Sequence, residues 1–285
     1  MSPSLPGPLV LVGPTGAGKT AASLRIAERY GLTVVSMDAM QVYRGMDIGT
    51  AKATPEERAR VPHRCIDVCD PVEPFDATGF AAEVEAVGPR ALPCGGAVFY
   101  LRAWMQPLVD VPRVDPALRA ALEALPDPHA RLCEVDPVLA ARLHPNDRVR
   151  VVRGLEVHAM TGRRLSELHA ADPRTRRPCT LAWVDRHDLA DVLDRRLDAM
   201  LEAGYLAEVE RLLASGVPRD CKPMQSLGYR HLSDHLHGDV TLDEAVRRTR
   251  RDTHAFVRRQ RSFLRSLGIA PGTDPDALAA AVYGR

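Results

Sequence analysis

Two short apolar runs, Leu9-Val10-Leu11-Val12 and Thr33-Val34-Val35-Ser36-Met37, flank residues 19–30, whose apolar positions recur at helical spacing. Strand, helix, strand in that order predicts a parallel βαβ unit. Further on, residues 55–60 predict a short helix opening with Pro55, Arg64–Val68 a strand before the Asp70-Pro71 turn, and residues 80–92 a weak helix. From Val111 to about Pro178 the texture changes: prolines punctuate the chain, strand signals vanish, and helical patterns over Pro116–Leu125 and Asp147–Met160 follow one another. Thr180–Val184 predicts a last strand. Amphipathic stretches at 188–203, 205–214 and 241–267 follow, and the tail after Gly268 carries little pattern. The expected division is a core begun by residues 1–112, a helical insertion over 113–179, and a return to the core with basic helices over 180–285.

The first strand runs directly into Gly13-Pro14-Thr15-Gly16-Ala17-Gly18-Lys19-Thr20. A strand, this glycine spacing, Lys-Thr and then a helix describe a phosphate cradle: glycines let backbone N–H groups approach a polyphosphate, Lys19 reaches its outer oxygens, and Thr20 offers a hydroxyl to Mg²⁺. The helix dipole adds to the anion's attraction. The fold class predicted is therefore α/β, a P-loop NTPase-like parallel sheet with flanking helices and a helical insertion domain. In such sheets ligands sit beyond the carboxyl ends of the strands. Asp38 follows the second strand and so belongs on the rim that carries the cradle, as a proton acceptor or a water-mediated Mg²⁺ ligand. The plainer alternative is that Asp38 only caps the next turn.

Composition narrows the class. Apolar residues make up 45% of 285, enough for a real core, and no apolar run is long enough to span a membrane; a cytoplasmic, monomeric enzyme is expected. Six cysteines lie scattered without a C-x-x-C pair, which fits reduced thiols and argues against a zinc ribbon. His231, His235 and His237 lack the partners of a metal set and read as helix histidines, while Phe99, Tyr100 and Trp104 read as core rather than as the wall of a ligand pocket. Net charge is only +1, so any nucleic-acid footprint has to be local. It is concentrated late in the chain: residues 247–265 hold eight arginines and one acid, Asp252. Arg247, Arg251, His254, Arg258, Arg261 and Arg265 recur every three or four residues as a basic stripe, read as an RNA-binding face against the alternative of a solvated helix.

The cradle, the block Asp38-Ala39-Met40-Gln41-Val42-Tyr43-Arg44-Gly45-Met46-Asp47-Ile48-Gly49-Thr50-Ala51-Lys52, and later elements together resemble the tRNA dimethylallyltransferase family. Those later elements include His63-Arg64-Cys65-Ile66-Asp67, His144-Pro145-Asn146-Asp147, Arg153-Gly154-Leu155-Glu156-Val157, Leu227-Gly228-Tyr229-Arg230 and Arg258-Arg259-Gln260-Arg261-Ser262-Phe263. The resemblance covers roughly residues 9–265 and implies transfer of a dimethylallyl group from dimethylallyl diphosphate to N6 of the adenine 3′ of the tRNA anticodon. It further implies that residues Gly13 to Thr20 hold the diphosphate, with Lys19, Thr20 and Asp38 catalytic and Mg²⁺ as cofactor at Thr20. The implied tRNA contacts are Asp38, Ala39, Met40 and Gln41; Ala97; Arg119; Val149, Arg150, Val151, Val152 and Arg153; Gln225, Ser226, Leu227, Gly228, Tyr229 and Arg230; and Arg258, Arg259, Gln260, Arg261, Ser262, Phe263, Leu264 and Arg265.

Three positions depart from the family pattern. Ala97 stands where a threonine hydroxyl is usual, Gly154 replaces an alanine, and only Ala-Leu-Pro-Cys precedes Gly95-Gly96, which predicts a shortened or missing core strand, replaced by residues 97–101. The readings left open beside the main one are a kinase or isopentenyltransferase acting on free nucleotides, and an RNA-binding relative with weakened catalysis.

Overall fold

A computed structural model describes residues 7–106, 109, 111–112, 115–171 and 176–284. The expected boundary at 112/113 adjoins Arg113 and Val114, and these, with Met1–Pro6, lie outside the described residues. The chain forms two compact units, Met1–Met105 with Arg177–Arg285, and Gln106–Arg176.

The larger unit begins β1 (Leu9–Val12), α1 (Lys19–Tyr30), β2 (Thr33–Met37), α2 (Pro55–Arg60), β3 (His63–Arg64), α3 (Ala77–Val87), β4 (Ala91–Gly95) and α4 (Val98–Met105). The smaller unit contains α5 (Pro116–Glu123), α6 (Pro128–Val135), α7 (Pro137–Ala140), α8 (Arg148–Thr161) and α9 (Leu165–Ala171). The chain then returns through β5 (Thr180–Trp183), α10 (Leu189–Glu202), α11 (Tyr205–Ala214), α12 (Tyr229–Leu236), α13 (Leu242–Ser266) and α14 (Pro275–Tyr283).

One parallel sheet of order β3-β2-β4-β1-β5 organises the larger unit. Helices cover both faces, so the strands need apolar side chains on both sides; Leu9, Val10, Leu11 and Val12 are all buried. The expectation of a missing core strand is corrected here. β4 lies between β2 and β1, is buried along its length, and pairs with β2 from Thr33↔Ala91 to Met37↔Gly95. Pro93 hid it: a proline has no N–H to donate, and the ladder to β1 registers only beyond it, at Leu11↔Cys94 and Val12↔Gly95. Residues 98–105 are helix α4 instead of a substitute strand. The strand expected over Arg64–Val68 is shorter and earlier, His63–Arg64, because Cys65 and Asp67 take left-handed φ values of 59° and 54° and turn the chain out of the sheet.

The tail after Gly268 is not featureless. Asp274 caps α14 with Pro275 in its first turn; Ala279 is buried, the Tyr283 hydroxyl accepts the Leu9 N–H at 3.0 Å, and Arg25 pairs with Asp276. An alanine-rich helix has a weak hydrophobic pattern, so only tertiary packing reveals it.

In the smaller unit, Asp115, Asp127, Asp136 and Asp147 each cap a helix through a side-chain oxygen. Their helices close over Leu132, Leu139, Val151, Leu155 and Val157. Gly154 is a packing residue: a Cβ there would stand 2.7 Å from a Leu139 methyl and 2.9 Å from a Leu132 methyl. Gly154→Ala therefore trades about 1 kcal/mol of helix propensity against about 1–3 kcal/mol of overpacking. The expected result is a net loss of stability of about 1 kcal/mol in urea unfolding; a gain would mean that the two leucines move aside freely.

Candidate active site

The phosphate loop joins β1 to α1. Gly18 caps the helix at φ 94°, a left-handed conformation that a side chain resists, and a Cβ on Gly13 would run into the Val184 carbonyl oxygen. The first-turn N–H groups of α1 have no intrahelical acceptor, and Lys19, Thr20 and Ala21 border the cleft. The Lys19 ammonium donates to the Pro14 carbonyl at 2.7 Å, spanning the loop. Desolvation lowers its pKa, and the Asp38 carboxylate is among the charges opposing that fall.

Asp38 leaves the end of β2 and faces the same cleft. Its Oδ1 accepts the Met40 N–H at 2.8 Å, so it does cap the turn, and the other carboxylate oxygen has no such task. The loop that follows is stapled from within and without. Gln41 accepts the Ser36 hydroxyl at 2.7 Å and donates to the Thr50 carbonyl at 3.1 Å, while Lys52 is buried between Tyr43, Asp47 and Asp67. From α11, the buried Glu208 carboxylate accepts the N–H groups of Asp47, Ile48 and Gly49 at 2.7–3.1 Å and the Tyr229 hydroxyl at 2.6 Å. Nothing in the sequence marked Glu208, because its partners lie about 160 positions away.

The cavity between these parts measures about 950 Å³. Thr15, Lys19, Asp38 and Ala97 border it from the sheet side, Arg196 and Met200 from α10, Gln225 to Leu227 with Tyr229 and Arg230 from the α12 entry, and Phe256, Arg259 and Gln260 from α13. Arg196 was missed from sequence, one arginine among many on an amphipathic helix. Burial lowers its pKa and Asp38 counters, which makes it a second desolvated cation beside the carboxylate.

The residues implied as tRNA contacts separate into several groups. Asp38, Ala39, Met40, Gln41, Ala97, Gln225, Ser226, Leu227, Tyr229, Arg230, Arg259 and Gln260 border the cavity. Arg258 and Arg265 are exposed on α13, as is Ser262, and Phe263 is half-buried. Leu264, Val151 and Val152 are corrected, since each is buried and packs the core. Gln41 and Gln260 are corrected in direction: their carboxamides are already committed to protein partners. Arg261 is held by Asp185 through two bonds of 2.7 and 3.0 Å. In the smaller unit, Arg119 grips the buried Glu156 bidentately at 2.6 and 3.1 Å and Arg153 joins it at 3.1 Å, while Val149 and Arg150 are exposed. The basic stripe is thinner than its sequence: Arg250 pairs with Asp198, Arg251 with Asp252, and His254 with Asp194. Tyr100 and Trp104 are buried, and Phe99 is exposed.

For Mg²⁺ the residues fit a substrate-bridged site. Thr20 presents an exposed hydroxyl at the start of α1 and Asp38 stands nearby on the same cavity, while no cluster of three ionisable ligands exists among the described residues. That suits an ion which keeps its waters and is held largely by phosphate oxygens.

Comparison with known proteins shows the family of the chain. The family model for IPP transferase matches residues 41–267, and that for isopentenyl transferase residues 8–65. The chain is 43% identical over 265 residues to tRNA dimethylallyltransferase 1 of Citrifermentans bemidjiense, covering 88% of this chain and 87% of the relative. Identity is 46% over 269 residues to tRNA dimethylallyltransferase 1 of Syntrophotalea carbinolica, covering 88% and 86%. Among solved structures, the full-length tRNA isopentenylpyrophosphate transferase of Bacillus halodurans aligns at TM-score 0.65 and 34% identity over 98% of this chain and 94% of that one. A eukaryotic dimethylallyltransferase acting on tRNA aligns at TM-score 0.77 and 26% identity over 90% and 69%. By the family model over residues 41–267 and the identity to these relatives, the chain belongs to the IPP transferase family of tRNA dimethylallyltransferases.

Proposed function

We propose that this chain transfers a dimethylallyl group from dimethylallyl diphosphate to N6 of the adenine immediately 3′ of the anticodon in tRNA. The observation that carries this is the meeting of Lys19, Arg196 and Asp38 on one cavity, large enough for a nucleobase and an isoprenoid diphosphate together. In the reaction the allylic C–O bond breaks and its electron pair stays on diphosphate, while the N6 lone pair forms the new C–N bond. Lys19, the α1 amides and Arg196 meet the charge that grows on the leaving oxygen. Bound at Thr20 and the diphosphate's own oxygens, Mg²⁺ would supply further neutralisation. Asp38 takes the proton that the amine sheds. An adenine amine is a poor nucleophile, so holding it against the allylic carbon contributes as much as the base does.

The target base has to leave its stack to enter, at a cost of a few kcal/mol, and RNA contacts on the exposed arginines of α13 offset that. Free nucleotides would need no such surface. Among the described residues no helix is long and apolar enough to cross a membrane.

Mass spectrometry of tRNA nucleosides after incubation with the protein, Mg²⁺ and dimethylallyl diphosphate should show the prenylated adenosine. Asp38→Asn should cut transfer at least about a hundredfold, at the lower end of general-base effects, with tRNA affinity nearly unchanged; equal turnover would remove Asp38 from the mechanism. Arg258→Ala with Arg259→Ala, two cations without an ion pair among the described residues, should weaken tRNA binding and flatten its dependence on salt by nearly two phosphate contacts. An unaltered salt slope would place the RNA elsewhere. Ala97→Thr restores a hydroxyl on the cavity wall and should raise kcat/KM by about fivefold to tenfold, one hydrogen bond's worth. No gain would show that the smaller side chain costs nothing.

A further inference from the structure

Gln260 sits mid-way along α13 between arginines, yet it is only 5% exposed. Both ends of its carboxamide are committed inward. Oε1 accepts the N–H of Thr15 in the phosphate loop at 3.1 Å, and Nε2 donates to the Gly96 carbonyl at 3.1 Å. Thr15 follows Pro14, whose carbonyl receives the Lys19 ammonium, and Gly96 precedes Ala97 on the cavity wall. A Cβ at Gly96 would stand 2.4 Å from the Gln260 amide nitrogen, so a larger residue there would displace this carboxamide. One side chain therefore ties α13 to two loops that lie 245 and 164 residues away in sequence.

The neighbours of Gln260 on α13 divide its surroundings. Arg258 and Arg259 are exposed and have no ion pair among the described residues, with Arg259 lying 5.9 Å from the Phe256 ring centre. On the inner side Val257 and Leu264 are buried, and Arg261 is locked to Asp185. A polyanion on the two free arginines loads the helix segment whose next residue holds the phosphate loop.

We propose that Gln260 is a positioning residue that couples the two substrate sites: RNA on Arg258 and Arg259 steadies the Thr15 and Gly96 loops through its carboxamide, so that each substrate tightens the other. This rests on the prenyl-transfer reading above. Its physical basis is preorganisation: loops already ordered by one ligand lose less freedom when the second binds, and the gain is reciprocal.

The test is calorimetric titration with inorganic pyrophosphate in Mg²⁺ buffer, with and without an anticodon stem-loop RNA. In the unaltered protein the RNA should tighten pyrophosphate binding by about fivefold or more, at the low end of usual coupling. In Gln260→Ala that factor should fall to within about twofold of unity, whatever the change in either affinity measured alone. A purely structural glutamine would weaken pyrophosphate equally in both conditions and keep the factor, which overturns the proposal. Independent binding of the two ligands to the unaltered protein would overturn it as well. Should Gln260→Ala fail to fold, Gln260→Glu serves: it can still accept from Thr15 but repels the Gly96 carbonyl, and the factor should drop at least by half, an unchanged factor again overturning the coupling. Absence of any pyrophosphate binding to the unaltered protein would instead strike at the prenyl-transfer reading itself.

Discussion

Backbone N–H groups have to find acceptors, and at this cleft the acceptors are carboxylates and carboxamides, most of them brought from distant parts of the chain. Glu208 takes three consecutive amides of the 47–49 turn, Asp38 takes that of Met40, and Gln260 takes that of Thr15. Each bond is worth only about 1 kcal/mol net, but leaving a buried donor unmet costs about 1–3 kcal/mol. These acceptors therefore fix loop geometry more than they add stability. Irregular backbone can then line a cavity without collapsing into it. The sheet supplies the other half of the arrangement: β1, β2 and β4 are parallel and in register, so their carboxyl ends deliver Gly13, Asp38 and Gly96 to one rim.

What could be read in sequence was whatever physics acts locally. β1, α1 and β2 form a strand, a glycine turn, a helix and a strand within 29 residues, and both the cradle and Asp38 follow from that pattern. β4 was misread for a local reason too, since Pro93 interrupts the apolar run, although a strand can absorb a proline where one ladder begins beyond it. α14 was missed because its burial against α1 and β1 leaves no trace in a run of alanines. Gly154 looked like a defect in α8 and is instead the place where two leucines fit.

Charge shows the same limit more sharply. Residues 247–265 are strongly basic in sequence, yet Asp185, Asp194 and Asp198 return to neutralise Arg261, His254 and Arg250 across gaps of 50 residues or more. Exposed pairs of this kind add little stability. Their larger effect is on recognition, because an arginine already paired with a carboxylate has less to offer a phosphate. Among the described residues, the exposed arginines without an ion pair on this part of α13 are Arg258, Arg259 and Arg265, around Gln260.

The electrostatics of the cavity then follow from an imbalance. Lys19 and Arg196 are both desolvated, and their pKa values fall on that account, while Asp38 is the carboxylate that opposes the shift in each case. Two desolvated cations that share Asp38 as a counter-charge leave this part of the cavity short of negative charge. A diphosphate relieves that shortage as it binds and relieves it further as the allylic bond breaks, so the penalty of burying Lys19 and Arg196 is set against the rising charge of the leaving group. Met40 holds one oxygen of Asp38, and in the proposed reaction this carboxylate would receive the proton of the attacking amine. In the proposed reaction the same three side chains would draw in the diphosphate and separate the charges that the transfer creates.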